Sequence, residues 1–468
     1  MRVIGADGEC KMKRESFGSR LGFLLLTAGC AIGVGNVWRF PYVVGNYGGG
    51  AFVLLYLIFV AIIGVPILAM ELSIGRASKK SAVKAYQKLQ KPGQKWHWQG
   101  YLALIGNVVL MMFYTVITGW MLYYFFAFAS GKFDGANTQQ VGKVFDEMLA
   151  SPGVMTFWTL FVIALGFFIC SFGLQSGTER ITKWMMSALV IIMIILIFHS
   201  LSLPNAMQGL KFYLLPDIDK MREIGFLETI SAAVNQGFFT LSIGIGAMLI
   251  FGSYTDKNRT LLGESITITT LDTVTALFAG FIIFPACAAY GVEPDSGPSL
   301  IFLTLPNVFI EMPMGRLWGS LFFIFMWFAA FATLIAVFEN ILACCIDLWG
   351  WSRQKASLIS GIFIAVASLP CVFGFNLWAG IEPLGAGSTI LDFEDFLVSN
   401  LLLPLGSLVY LIFCVSRVGW GFNKFTEECN TGKGVKIPKW AKGYLTYVLP
   451  VIVLLLFVQG LMPLFQKG

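Results

Sequence analysis

Apolar residues fill long runs such as Phe52–Met70, Val154–Cys170, Val190–Phe198, Leu358–Phe375 and Leu445–Phe457, and polar residues collect between them. About 20 mainly apolar residues suffice to cross a bilayer as a helix. The pattern predicts 11 such spans, numbered in chain order, at roughly 20–46, 50–73, 99–129, 154–172, 181–201, 228–254, 262–290, 316–348, 356–375, 388–417 and 443–464. The first apolar stretch is followed by polar positions and a second span, not by a small-residue cleavage site, so it reads as a retained span rather than a signal. No interval between spans fits a soluble domain, and residues 1–468 read as a single membrane domain.

Composition agrees. Of the 468 residues 57% are hydrophobic and only 12% charged, too little polar surface to keep a soluble chain of this length dissolved. With the N-terminus inside, the inner segments hold 24 of the 32 Lys and Arg residues, and Arg76–Lys95 carries seven with no acid. That bias predicts a multi-pass protein of the cell (inner) membrane, N-terminus cytoplasmic and C-terminal Gln466–Gly468 external. It also accounts for the net charge of +6 without a nucleic-acid partner. The nine cysteines lie mostly in spans, as Cys170, Cys344, Cys345 and Cys414 do. They show no zinc spacing, and their odd number argues against a disulfide framework. His97 and His199 sit near membrane boundaries and read as interfacial. The chain has no HExxH, GxSxG or phosphate-cradling motif, so no enzyme is expected.

Two spans are interrupted. Ala31-Ile32-Gly33-Val34-Gly35 breaks span 1 and Ser242-Ile243-Gly244-Ile245-Gly246 breaks span 6, near copies 211 residues apart, each opening a set of five spans. Glycine weakens a helix by about 1 kcal/mol relative to alanine. Unwinding frees backbone groups that hydrocarbon leaves unsatisfied, so a break persists where it lines a cavity or meets a ligand. Freed carbonyls suit a hard cation, and amides at a half-helix N-terminus suit a carboxylate. One such glycine pair would more often serve close helix packing. Two near-identical pairs in matching positions favour a binding site at the midplane.

These residues carry a resemblance. Arg20-Leu21-Gly22, Gly29-Cys30-Ala31-Ile32-Gly33-Val34-Gly35-Asn36-Val37-Trp38-Arg39-Phe40-Pro41 and Asn46-Tyr47-Gly48-Gly49-Gly50-Ala51-Phe52 resemble the first two helices of the neurotransmitter:sodium symporter family. Pro66, Glu71 and Gly75-Arg76 continue the match, Gln236–Ser242 looks like the family's sixth helix, and Gly297-Pro298 with Leu303–Pro306 looks like its fourth extracellular loop. The short second outer loop and 11 helices look like the bacterial branch. The rule on paired broken helices was framed partly on this family, so it adds no independent weight. The resemblance implies an all-α integral membrane fold of 11 transmembrane helices. Inverted five-helix repeats cover 20–201 and 228–417, helices 1 and 6 are unwound mid-membrane, and an extra helix spans 443–464.

It also implies residue roles. The first sodium site would use the Ala31 carbonyl, Asn36, Thr240 and Asp272, all oxygen donors. Asp272 stands where asparagine is usual, and a mid-membrane carboxylate needs a partner. A cation is the obvious one, a proton the alternative. Ala276 occupies the position that often carries an acid in chloride-independent relatives, so Asp272 would supply that charge and chloride would not be required. The second sodium site would use carbonyls of Gly29, Ile32 and Ala329 with Thr333, lacking the side-chain oxygen usual where Ala332 stands, so one or two ions are expected. No organic cofactor is expected.

A substrate carboxylate would meet the Val34 and Gly35 amides and the Tyr114 hydroxyl, and its ammonium the carbonyls of Cys30, Phe239, Thr240 and Ser242, beside Ala31. Leu110, Tyr114, Phe239, Ile245, Thr333 and Val337 would contact the side chain. Monoamine carriers have aspartate where this chain has Gly33, so an amino acid bringing its own carboxylate is expected, neutral and hydrophobic. Arg39 and Asp395 resemble an outer gate, with Gln236 and Asp392. Arg14 and Asp347 resemble an inner gate, with Ser253 and Tyr254 and with Phe17 in place of the usual tryptophan. Together these imply sodium-coupled symport of an aliphatic or aromatic L-amino acid into the cell by alternating access. The alternative is a non-transporting amino acid sensor on the same fold. Oligomeric state is left open.

Overall fold

The computed structural model describes residues 2–4, 10–12, 14–291 and 300–466. Among them nine helices are long and apolar enough to cross a membrane: Gly50–Ser78, His97–Ala129, Pro152–Ser171, Leu174–Leu201, Leu261–Ala289, Gly315–Trp349, Arg353–Phe373, Ile390–Val415 and Ala441–Leu461. They correspond to spans 2–5 and 7–11. A tenth is the pair Arg20–Ala31 and Gly35–Asn46, bent by 52°. The expected sixth span is two pieces, Phe226–Thr240 and Ala247–Tyr254, with 15 and 8 residues. Gly297-Pro298 and Lys467-Gly468 lie outside the described residues.

Burial explains the arrangement. Span 8 is 83% buried over its most apolar 18 residues, the signature of a central helix, and it packs most extensively on span 3. Span 11 is 22% buried over its most apolar 18 residues and forms the periphery, presenting Val451, Leu455 and Val458 outward as a lipid-facing surface would. Span 5 starts about seven residues earlier than expected, in a π-helical turn at Leu174–Glu179. Polar Glu179 is buried there because Gly18 N donates to it at 2.9 Å and Lys183 at 2.6 Å. Other π-helical turns lie at Gly35–Arg39, Val60–Gly64, Leu300–Thr304, Leu397–Leu402 and Tyr444–Val448.

Outside the bundle the chain also forms one short two-stranded ribbon. Arg2–Ile4 and Cys10–Met12 pair antiparallel, with Arg2 opposite Met12. Three residues on each side are too few to read as strands in a sequence pattern, and such a ribbon is marginal alone.

Ala247–Tyr254 is pressed onto span 2. A Cβ on Gly75 would lie 1.9 Å from the Leu249 carbonyl oxygen, and one on Gly252 2.3 Å from that of Leu72. Only glycine allows this approach of backbone to backbone.

Candidate functional site

Both breaks are real and differ in form. In span 1 the helix ends at Ala31, capped by Ile32 N donating to Ala28 O at 2.6 Å, and resumes as the turn Gly35–Arg39. In span 6 the chain turns through Ser242, Gly244 and Gly246, at φ of 50°, 104° and 71°. The last two need glycine, since positive φ strains residues with a Cβ.

Neighbouring spans satisfy the freed backbone groups of span 6. Glu71 on span 2 accepts from Gly244 N at 2.5 Å. On span 3, Asn107 donates to Ile245 O at 2.7 Å and Gln99 to Gly244 O at 3.4 Å. Gln99 and Asn107 escaped the sequence reading, because no local pattern says that one amide side chain in an apolar helix faces a break elsewhere. Glu71 was singled out only as part of a motif.

Asn36, Thr240 and Asp272 converge, all fully buried. Asn36 Nδ2 donates to Asp272 Oδ1 at 2.8 Å and to Asp272 O at 3.0 Å. Thr240 Oγ1 donates to Asp272 Oδ2 at 3.1 Å, and Asn36 Oδ1 accepts from Gly33 N at 3.1 Å. Among the described residues no Lys or Arg pairs with Asp272. A carboxylate held only by neutral donors, with hydroxyl and carbonyl oxygens beside it, suits a hard monovalent cation. Ala31 borders the adjoining cavity.

Thr333 gathers a second set of oxygens. Its hydroxyl lies 3.0 Å from Gly29 O, 3.3 Å from Ile32 O and 3.5 Å from Ala329 O, so four oxygens from spans 1 and 8 share one point.

Between the breaks lies a cavity of about 20 Å³, lined by Ala31, Gly33, Gly35, Leu110, Tyr114, Phe239, Ser242, Ile245, Thr333, Val398 and Leu403. That volume holds about one water, so an amino acid requires the walls to move apart. Val34 N donates to Tyr114 Oη at 3.0 Å, and Ser242 Oγ to Cys30 O at 3.3 Å. A Cβ on Gly33 would lie 2.4 Å from both Tyr114 Oη and Thr333 Oγ1, so an acid at 33 does not fit here. Val337, buried one turn beyond Thr333, is not part of the lining, whereas Val398 and Leu403 on span 10 are. The sequence named neither of these two, since an apolar residue facing a site looks like one facing the core.

Phe239 and Tyr114 separate this cavity from a second one of about 220 Å³ that Arg39, Asp392 and Asp395 border. Arg39 stacks on the Phe239 ring, 4.4 Å from its centroid. It does not pair directly with Asp395. Instead Arg39 Nη1 donates to Ser399 Oγ at 3.2 Å, and Ser399 Oγ to Asp395 Oδ1 at 2.8 Å. Gln236 donates to Gly35 O at 2.8 Å, bracing the break. Asp392 turns its carboxylate to Thr389 N at 2.8 Å in a capping box that starts Ile390–Phe396.

At the other end Arg14 and Asp347 pair directly, at 3.0 Å. Arg14 also donates to Ser253 Oγ at 2.9 Å and lies over the Tyr254 ring, and Ser81 N donates to Asp347 at 2.7 Å. Phe17 packs edge-on to Tyr254. Beneath this lies a group the sequence reading missed. Glu339, fully buried on span 8, accepts from Arg353 Nη2 at 2.7 Å and Nη1 at 2.8 Å, and from Tyr254 Oη at 2.9 Å.

A small site at the middle of a helical bundle, closed by polar latches at each end, defines a membrane carrier. The chain belongs to the sodium:neurotransmitter symporter family, whose model matches residues 14–140 and 137–467. It is 32% identical to an uncharacterized sodium-dependent transporter, YhdH, of Bacillus subtilis, over 96% of this chain and 98% of the relative. It is 33% identical to an uncharacterized sodium-dependent transporter of Haemophilus influenzae, over 96% and 98%. Among solved structures, that of MhsT in complex with L-phenylalanine is similar at 34% identity and a TM-score of 0.86, covering 96% of this chain and all of MhsT.

Proposed function

We propose that this carrier moves a neutral, hydrophobic L-amino acid into the cell together with sodium and without chloride. The observation that carries the reading is the buried Asp272 carboxylate, held by Asn36 and Thr240 alone, beside an apolar cavity bounded by two helix breaks. Sodium is cargo. It would be held at Asp272, Asn36, Thr240 and the Ala31 carbonyl, and a second ion at Thr333 with the Gly29, Ile32 and Ala329 carbonyls. Asp272 supplies the negative charge that chloride supplies elsewhere. The apolar lining selects a hydrophobic side chain, as the L-phenylalanine held by MhsT supports. The Val34 and Gly35 amides and Tyr114 hydroxyl take its carboxylate.

In this reading Phe226–Tyr254 is the broken sixth of 11 spans, and 20–201 and 228–417 are inverted repeats, with 443–464 added. The Arg14–Asp347 end faces the cytoplasm and the Arg39–Asp395 end faces outside. Ligands shift the balance between the two openings only by their differential affinity. Sodium and substrate therefore stabilise the closed arrangement around Phe239, from which the inner end opens.

Uptake into proteoliposomes under an imposed sodium gradient tests this. Phenylalanine, leucine and related residues are expected to enter only with sodium, equally well when gluconate replaces chloride. Asp272→Asn should lower sodium-driven uptake about 10- to 100-fold, the scale of a lost charged contact, and make the remainder chloride-stimulated. Wild-type uptake that stops without chloride at saturating sodium would overturn the assignment of Asp272.

A further inference from the structure

A groove of about 380 Å³ opens between spans 2 and 11, on the outer surface of the bundle. Its floor and walls are apolar, including Val65, Pro66, Phe425, Ile437 and Leu445. Both long walls carry π-helical turns, Val60–Gly64 on span 2 and Tyr444–Val448 on span 11. Such turns cost hydrogen-bond geometry and recur at functional sites. They face each other here, joined by Tyr444 Oη donating to Ile62 O at 2.7 Å. Ordinary packing between two spans would close this space rather than hold it open.

The segment that rims the groove is basic in a regular way. Lys433, Lys436, Lys439 and Lys442 recur at every third residue, all exposed, and residues 429–442 contain no acid. Among the described residues none of the four forms an ion pair with a carboxylate. Trp440, 75% exposed, stands between the last two, as aromatic residues do at the level of lipid headgroups. Lysines close to a membrane surface attract anionic lipid, and an apolar slot beside them takes an acyl chain.

We infer that this groove is a binding site for one anionic phospholipid, its acyl chain between spans 2 and 11 and its headgroup phosphate among Lys436, Lys439 and Lys442. Charge complementarity selects the lipid, and the π-helical turns shape the slot. None of these residues belongs to the substrate and ion site. The inference needs the bundle to lie in a membrane but neither sodium coupling nor a particular substrate.

Native mass spectrometry of the full chain, released from detergent without sodium or amino acid, tests it. One phosphatidylglycerol is expected to stay bound under conditions that strip phosphatidylcholine of the same chains. Replacing all four lysines by glutamine should weaken that retention about tenfold or more. Ala61→Trp, which fills the groove from its exposed rim, should weaken it comparably while leaving folding intact, read as an unchanged melting temperature in lipid-free detergent. Equal retention of both lipids, or unchanged retention in the four-lysine variant, would overturn the proposal. So would unchanged retention in Ala61→Trp, which would mean diffuse surface attraction without a slot. A mass of twice the chain, lost in Ala61→Trp, would put a second copy in the groove and also overturn it. Uptake of amino acids does not enter the readout, so failure here and failure of the transport reading are separable.

Discussion

The two ends of the carrier are closed by different means. At the end proposed above to be the inner one, Arg14 and Asp347 touch directly, Asp347 is only 8% exposed, and Ser253, Ser81 and the Tyr254 ring complete the latch. Just below, the buried Glu339 pairs with the part-exposed Arg353. At the outer end Arg39 reaches Asp395 only through the Ser399 hydroxyl, and the ring of Phe239 is the remaining barrier under a cavity of about 220 Å³. One end is tied by charges with little water around them, and the other by a single hydroxyl relay. Opposite charges attract more strongly where water is excluded. In the orientation proposed above, this form therefore leans toward opening outward, the direction from which sodium and substrate would arrive.

The largest effect should come from breaking the support under the inner latch. Arg353→Met leaves Glu339 buried and uncompensated, which costs about 3–5 kcal/mol. A fall of the melting midpoint by many degrees in detergent checks it, and an unchanged midpoint would show that the inner end does not depend on this pair. A middle-sized effect is expected for Arg14→Ala. It removes the ion pair and the Ser253 contacts, about 1.5–3 kcal/mol of closure. Hydrogen exchange of the Ala247–Tyr254 amides should speed up by about tenfold or more. If exchange rises instead around Phe239, the assignment of strong and weak ends is reversed. Ser399→Ala should matter least, about 1 kcal/mol. The expected reading is about fivefold faster release of bound amino acid to the outer side with the inner end unaffected. A loss as large as that of Arg14→Ala would show that the outer relay is no weaker than the inner pair.

Much of this architecture was legible in the sequence. The apolar runs located nine spans, eight of them within about five residues at either end and the fifth with its start about seven residues late, because hydrocarbon enforces their length. The glycine pairs located both breaks, because the departure from helix needs residues without a Cβ at Gly244 and Gly246. What stayed hidden depends on which faces meet. Gln99 and Asn107 meet the span 6 break from span 3, Ser399 stands between Arg39 and Asp395, and Glu339 finds Arg353 across the start of span 9. None of these pairings leaves a trace in local spacing. Asp392 is the reverse case. Thr389 three residues before it is a capping signal that the sequence displays openly.

The glycine contacts between span 2 and Ala247–Tyr254 have a mechanical consequence. That helix is about 12 Å long. It begins at Gly246 beside the cavity between the breaks and ends at Ser253 and Tyr254 on the Arg14–Asp347 latch. With backbone pressed on backbone at Gly75 and Gly252, it has no slack to bend or slide independently of its neighbour. It works as a connecting rod, so a shift of the break as it closes around cargo arrives almost undiminished where Arg14 holds on.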